Sequence, residues 1–184
     1  MKKTVSTLVI AAVALAAGPA FAQASGTVQV TGNVASTCAA LQPVTGSLDL
    51  GELAKDDGTV DQAFSKAKNG LTTNFTVRCN GSNAQLSVEA KPLVNTAGTQ
   101  AEGYASTVHY KATLAAQTAS GNTSSVADQS ISAGATTSNV AGKLKAQPNN
   151  VTLTIAEGTT QNSNAILEAG TYNGSVDITI TAAI

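Results

Sequence analysis

Aromatic residues are scarce in this chain of 184 residues. It has no tryptophan, three tyrosines and three phenylalanines. Large aromatic side chains supply much of the buried area of deep cores, so the core must be built mainly from small aliphatic side chains. This composition favours a thin β-sandwich over a fold with a deep catalytic cleft.

Side chains that bind metals or carry out catalysis are also few. The chain has two cysteines and one histidine, His109, whereas a structural zinc site needs about four closely spaced ligands. It contains no Gly-x-Ser-x-Gly nucleophile elbow and no phosphate-binding loop. We therefore expect no catalytic residues, no metal and no cofactor, and we place His109 on the exposed face of a strand.

Long apolar runs are missing except near the start of the chain. A basic start at residues 2–3 precedes an apolar run over residues 8–17, and the small residues Ala20 and Ala22 suit cleavage before residue 23. The run is too short to span a bilayer. Residues 1–22 are therefore predicted to be a secretion signal, with no membrane span in the remainder.

Positive charge is in the minority once this signal is removed. Cleavage takes away two lysines and leaves eight basic residues against eleven acidic ones, a net charge of about −3. A nucleic-acid-binding surface needs a basic patch, so nucleic acid is not an expected partner. In an exported chain the two cysteines predict one disulfide, Cys38 to Cys79.

Alternation of apolar and polar residues predicts an all-β protein with seven or eight short strands and one domain. Pro92 is expected to end one of these strands. The polar segment 115–150 is predicted to hold mostly loops, with short strands near 130–131 and 139–144. The clearer predicted strands cover residues 48–53, 71–79, 84–91, 104–114, 151–155 and 171–184.

The last predicted strand is long and apolar on one face. Its inward residues alternate from Val176 through Ile178 and Ile180 to Ile184. Chain termini usually fray unless something holds them. From the residues alone we expect a central place in a sheet for this strand.

A second alternating segment, GTVQVTGNVASTC, covers residues 26–38. Val28, Val30 and Val34 share one face, with Gly32 between them. Two interpretations are open from the pattern. The segment is either the first strand of the domain's own sheet or a strand that pairs with another molecule.

Four short motifs, in this order, carry a family resemblance: GTVQVTGNVASTC, LDLGEL, FTVRC and AGTYNGSVDITI. With them the mature chain resembles subunits of chaperone-usher pili, in particular the spore coat protein U and Csu-type (archaic) branch. The resemblance implies an immunoglobulin-like β-sandwich that lacks its last strand. It divides the chain into a donor-strand extension, residues 23–37, and a pilin domain, residues 38–184.

In that family a periplasmic chaperone first fills the open groove with its own strand, and the extension of the next subunit replaces it at an outer-membrane usher. The resemblance implies a donor strand with Val28, Val30, Gly32 and Val34. It implies an acceptor groove with these residues: Tyr172, Val176, Ile178, Ile180 and Ile184.

The resemblance therefore implies a structural subunit of a fimbrium on the surface of a Gram-negative bacterium, serving adhesion and biofilm formation. Its partners would be identical or related pilins, the chaperone and the usher. A different class is a secreted single-domain binding module or tip adhesin. Such a protein would be a stable monomer with a groove or an aromatic platform. The tyrosines that could form the platform are Tyr104, Tyr110 and Tyr172.

Overall fold

The computed structural model describes residues 29–41 and 45–183. The described residues belong to two units that divide between Val34 and Ala35. Residues 29–34, in the first unit, contain no strand. The predicted signal, residues 1–22, lies outside the described residues, as do Val28 and Ile184.

The second unit is built from β-strands. The described residues contain no helix, and accordingly none that is long and apolar enough to cross a membrane. The strands are β1 (Cys38–Ala40), β2 (Thr72–Phe75), β3 (Val77–Cys79), β4 (Gln85–Val94), β5 (Tyr104–Ala105), β6 (Thr107–Gln117), β7 (Thr123–Gln129), β8 (Thr136–Asn139), β9 (Val151–Thr159), β10 (Ile166–Leu167) and β11 (Asn173–Thr181).

One curled sheet of seven strands forms the body of the unit, in the order β11-β4-β6-β9-β2, with β8 beside β4 and β7 beside β6. β4 and β6 pair only where Leu93 and Val94 meet Val108 and Thr107. Away from that junction β8 takes the place beside β4, and β7 takes the place beside β6. The sheet thus separates into two layers, and β7 packs against β4. The prediction of an all-β sandwich is confirmed.

The core between the layers consists mostly of small aliphatic side chains, as the composition predicts. Alternate residues of β6 are buried along its whole length, which is the pattern of a strand with one face on a core. Phe64 and Tyr110 are the buried aromatic rings among the described residues. The strand residues that contribute most are Leu86, Val88, Ala90, Val108, Ala112, Leu114, Ala116, Val151, Leu153 and Ile155.

Two buried polar side chains form hydrogen bonds with backbone groups of β4 and β3, in the way that a neighbouring strand would. Asp128 accepts a hydrogen bond from the Ala90 N–H at 2.9 Å, at a point of β4 that lies between its β6 and β8 pairings. Asn150 accepts from the Val77 N–H at 2.9 Å and donates to the Val77 carbonyl at 2.8 Å. Because a buried backbone group without a partner is costly, these side chains stabilise the places where the sheet divides.

The predicted disulfide is confirmed, and it joins β1 to β3. Cys38 and Cys79 lie directly opposite each other in that antiparallel pair. The Asn80 side chain extends the attachment, since it donates to the Ala35 carbonyl at 2.7 Å and accepts from the Thr37 N–H at 2.8 Å. The chain is therefore bound to the domain from Ala35 onward.

The prediction that Pro92 ends a strand is wrong, because β4 continues to Val94. The register between β4 and β11 shifts between Asn173 and Ser175. Proline lacks an N–H and is tolerated at such bulges. Gly174 stands at the same bulge, where an added Cβ would lie 2.8 Å from the Pro92 carbonyl oxygen.

Two other predictions from the pattern are also wrong. Residues 48–50 form no strand, although Leu48 and Leu50 still pack against the core. The segment 115–150 contains the seven-residue strand β7, whose inward positions include Val126 and Asp128. An aspartate at an inward position hides the apolar alternation by which a strand is predicted.

We expect removal of the disulfide to lower the free energy of unfolding by about 3 to 4 kcal/mol, because the crosslink restricts the unfolded chain. The double variant Cys38→Ser with Cys79→Ser would be compared with the oxidised protein by urea denaturation. Under reducing conditions the two proteins should unfold at similar urea concentrations. Equal stability under oxidising conditions would contradict this role.

Candidate functional site

The strand β11 is hydrogen-bonded along one side only. It pairs with β4 from Asn173, opposite Val94, to Thr181, opposite Gln85. No strand among the described residues pairs with its other side. The expectation of a central place for this strand is therefore wrong, and its free N–H and C=O groups can pair with a further strand.

The apolar face of β11 is only half-buried. Val176, Ile178 and Ile180 all have intermediate exposure. Their partners on β4, in the same order Ala90, Val88 and Leu86, are all buried. Since directly paired residues share a face of the sheet, the core is complete beneath β4 and incomplete beneath β11.

The strand β2 shows the same property at the opposite end of the sheet order. Within residues 29–41 and 45–183, its one partner strand is β9. Phe75 is half-buried, whereas its partner Val151 is fully buried. The sandwich therefore has two edge strands whose inward faces both lack cover.

A groove lies between these edges. One part has a volume of about 440 Å³ and is lined by side chains from β2, β4, β6, β9 and β11. A neighbouring part has a volume of about 700 Å³, and the residues that line both parts are Ser47, Leu48, Leu50, Leu93, Tyr172 and Asn173. The apolar lining of the first part consists of Leu48, Leu50, Phe75, Leu93, Leu153, Ile155, Val176 and Ile178.

Tyr110 connects the groove floor to the edge strand. Its ring is buried on β6, and its hydroxyl donates to the Ser175 carbonyl of β11 at 2.8 Å. Burial raises the pKa of Tyr110 to about 12, because the charged phenolate would lose its hydration. The neutral hydroxyl is therefore the form that holds the start of β11.

Tyr172 fixes the segment just before β11. Its hydroxyl lies 2.8 Å from the Ala105 carbonyl and 2.9 Å from the Glu168 carbonyl. Burial also raises the pKa of Tyr172. On the outer face, Lys91 forms an ion pair with Asp177 across β4 and β11. The edge strand is thus held firmly on its paired side.

The structure brings together part of the predicted acceptor set. Tyr172, Val176 and Ile178 line the groove, and Ile180 continues their face along β11. Of the predicted donor residues, Val30 and Val34 are 89% and 82% exposed, and a Cβ on Gly32 would meet nothing within 4 Å. Val28 and Ile184 lie outside the described residues.

Several groove residues were not predicted from the sequence. The pattern predicts a strand at Leu48 and Leu50, and for Tyr110 it predicts only that the side chain faces inward. Leu93 follows Pro92, where the sequence indicates a strand end. Alternation could not have placed Leu93 in the groove, because Leu93 is out of phase with the inward residues Leu86, Val88 and Ala90.

No family model matches the chain, and neither a curated protein nor a solved structure is detectably similar to it. Within residues 29–41 and 45–183, no three His, Cys, Asp or Glu side chains are grouped so that they could hold a metal ion. The function is therefore inferred from the geometry of the groove and its two edge strands.

We expect Tyr110→Phe to remove the hydrogen bond to β11 and to cost about 1 kcal/mol of stability at neutral pH. The pKa of Tyr110 is raised in the folded state, so its stabilising contribution is complete below about pH 10, the usual tyrosine pKa, and is lost as pH rises toward about 12. Urea unfolding from pH 8 to 12 measures both effects.

In that series the wild-type protein should lose stability above about pH 10 more steeply than Tyr110→Phe. Tyr104→Phe is the matched control, because that ring is 49% exposed. At neutral pH it should be about as stable as the wild-type protein. Identical profiles for wild type and Tyr110→Phe would contradict the assignment.

Proposed function

We propose that this protein is the structural subunit of a surface fibre and polymerises by donating a strand to its neighbour. Residues 27–35 of one subunit would lie in the groove beside β11 of the next. The observation that carries the proposal is the half-buried row of Val176, Ile178 and Ile180 on a strand with one free side. Such an edge is completed by a strand with apolar side chains at every second position.

The donor segment matches the groove in pattern and length. A β-strand rises about 3.3 Å per residue, so Val28 to Val34 would extend over about 20 Å, within the length of the nine-residue β11. Val30 and Val34 are exposed, so they are free to be buried elsewhere. Gly32, without a side chain, would suit a shallow part of the groove.

The groove is also a hazard for a free subunit, because an unpaired apolar edge promotes aggregation. We therefore also propose that a periplasmic chaperone covers the groove before assembly, and that the donor strand replaces the chaperone at an outer-membrane usher. An immunoglobulin-like pilin fold lacking its last strand, and a location on the surface of a Gram-negative bacterium, belong to the same proposal. Adhesion and biofilm formation would be functions of the finished fibre.

Val30→Asp should abolish fibre assembly, because the donor strand would bring an unpaired carboxylate into an apolar groove. Thr31→Asp is the matched control, since its side chain lies on the other face of the donor strand, and it should still assemble. Unheated samples on a denaturing gel would show a ladder of heat-dissociable polymers for the control and monomers for Val30→Asp. A ladder for Val30→Asp would contradict the proposal.

Two variants with different defects test donor and groove separately. A chain lacking residues 27–35 keeps the groove, and Ile178→Asp keeps the donor segment. Neither should polymerise alone, but their mixture should form a heterodimer that grows no further. Thr179→Asp, on the exposed face of β11, is the control and should polymerise. Long polymers of Ile178→Asp, or a mixture that stays monomeric, would contradict strand donation.

A further inference from the structure

A second surface, separate from the groove, surrounds Tyr104. Among the aromatic rings of the described residues, only Tyr104 is exposed. It lies in the short parallel pair of β5 and β10, opposite Ile166. It is not among the residues that line the groove. About half of the surface of this residue, 49%, is open to solvent.

A cavity of about 400 Å³ adjoins this ring. Its volume is in the range of small-molecule sites. None of its lining residues is charged. The polar side chains in its wall include Gln100, Thr107, His109, Gln161 and Asn162.

On its other flank, Tyr104 lines a second cavity of about 350 Å³, together with Thr99 and Glu168. The Glu168 Oε1 atom accepts hydrogen bonds from the backbone and hydroxyl of Thr99. This carboxylate is therefore bonded to the loop between β4 and β5.

Two buried polar atoms lie on residues in the walls of these cavities. In the part of the chain that the structure describes, Nδ1 of His109 and Oε2 of Glu168 are buried and have no hydrogen-bond partner. Such atoms are normally bonded. Gln100, in the same surface, adopts a left-handed backbone with φ of 51°, which is strained for a residue other than glycine. An unpaired buried polar atom in a native structure needs an explanation, and left-handed backbone at residues other than glycine clusters at functional sites.

The chemistry of the wall selects the class of ligand. Because no charged side chain lines the 400 Å³ cavity, an anion or a cation would find no counter-charge there. Amide and hydroxyl side chains both donate and accept hydrogen bonds, and an aromatic ring packs against an apolar face. A ligand with an apolar ring face and a rim of hydroxyl groups satisfies both requirements.

We infer that the Tyr104 surface binds an uncharged saccharide unit. The sugar ring stacks on Tyr104, and its hydroxyl groups bond to the side-chain amides of Gln100 and Gln161. This activity does not depend on polymerisation. If the subunit does form a fibre, many copies of the surface would act together and weak single contacts would add up to strong attachment.

The test uses the purified full-length mature chain on an array of neutral and acidic oligosaccharides, followed by NMR titration with the best neutral ligand. We expect binding to neutral oligosaccharides, with shift changes at Tyr104 and His109. Tyr104→Ala should weaken binding at least about tenfold, whereas Tyr104→Phe keeps the ring and should bind within about threefold of wild type. Gln161→Ala should also weaken binding.

Leu41→Ala is the matched control, because Leu41 is another exposed large apolar residue and does not line either cavity. It should bind as wild type does. Thermal melting checks that each variant is folded. If Tyr104→Ala does not fold, the glycan binding of Gln161→Ala provides the test. Absence of neutral-glycan binding, binding to acidic glycans only, or unchanged binding by the folded variants would overturn the inference.

Discussion

Within the described residues β11 is hydrogen-bonded along a single side, and the open groove follows from this pairing. Eight of its nine residues pair with β4, with one bulge at Gly174, yet its apolar face is covered only in part. A complete sandwich would place another strand there. Because Val176 and Ile178 line an open groove while their partners on β4 are buried, the described residues leave this face open, and we propose that a neighbouring subunit covers it with its own strand.

A sandwich with one partly uncovered face loses some of the stability that burial would provide. Hydrogen bonds and the disulfide stabilise the strands elsewhere. Asp128 and Asn150 bond the backbone where the layers separate, and the disulfide holds β1 against β3. Tyr110 bonds the start of β11 directly. These contacts attach the paired strands to one another, and the Tyr110 bond holds the start of β11. The free side of β8 is different, since its residues Thr136–Asn139 are all polar.

The sequence was a good guide where side chains alternate strictly and a poor guide where tertiary contacts override the pattern. The alternation of β11 and the two cysteines predicted an apolar face and a disulfide. The position of β11 at the edge of the sheet could not be predicted from periodicity, because apolar and polar residues can alternate in the same way in an edge strand and in a central strand. Pro92 was misleading since the bulge at Gly174 accommodates it, and Asp128 concealed β7. The groove depends on Leu48 and Leu93, which only the three-dimensional structure brings together.

Hydrogen exchange at β11 tests the central claim most directly. The variant lacking residues 27–35 would be mixed with a synthetic peptide of residues 26–35, and backbone amide exchange would be followed along the chain. Strand donation predicts that the peptide slows exchange in β11 and leaves β8, the polar strand that also pairs on one side only, unchanged. Unchanged exchange in β11 at saturating peptide, or protection of β8 instead, would contradict it.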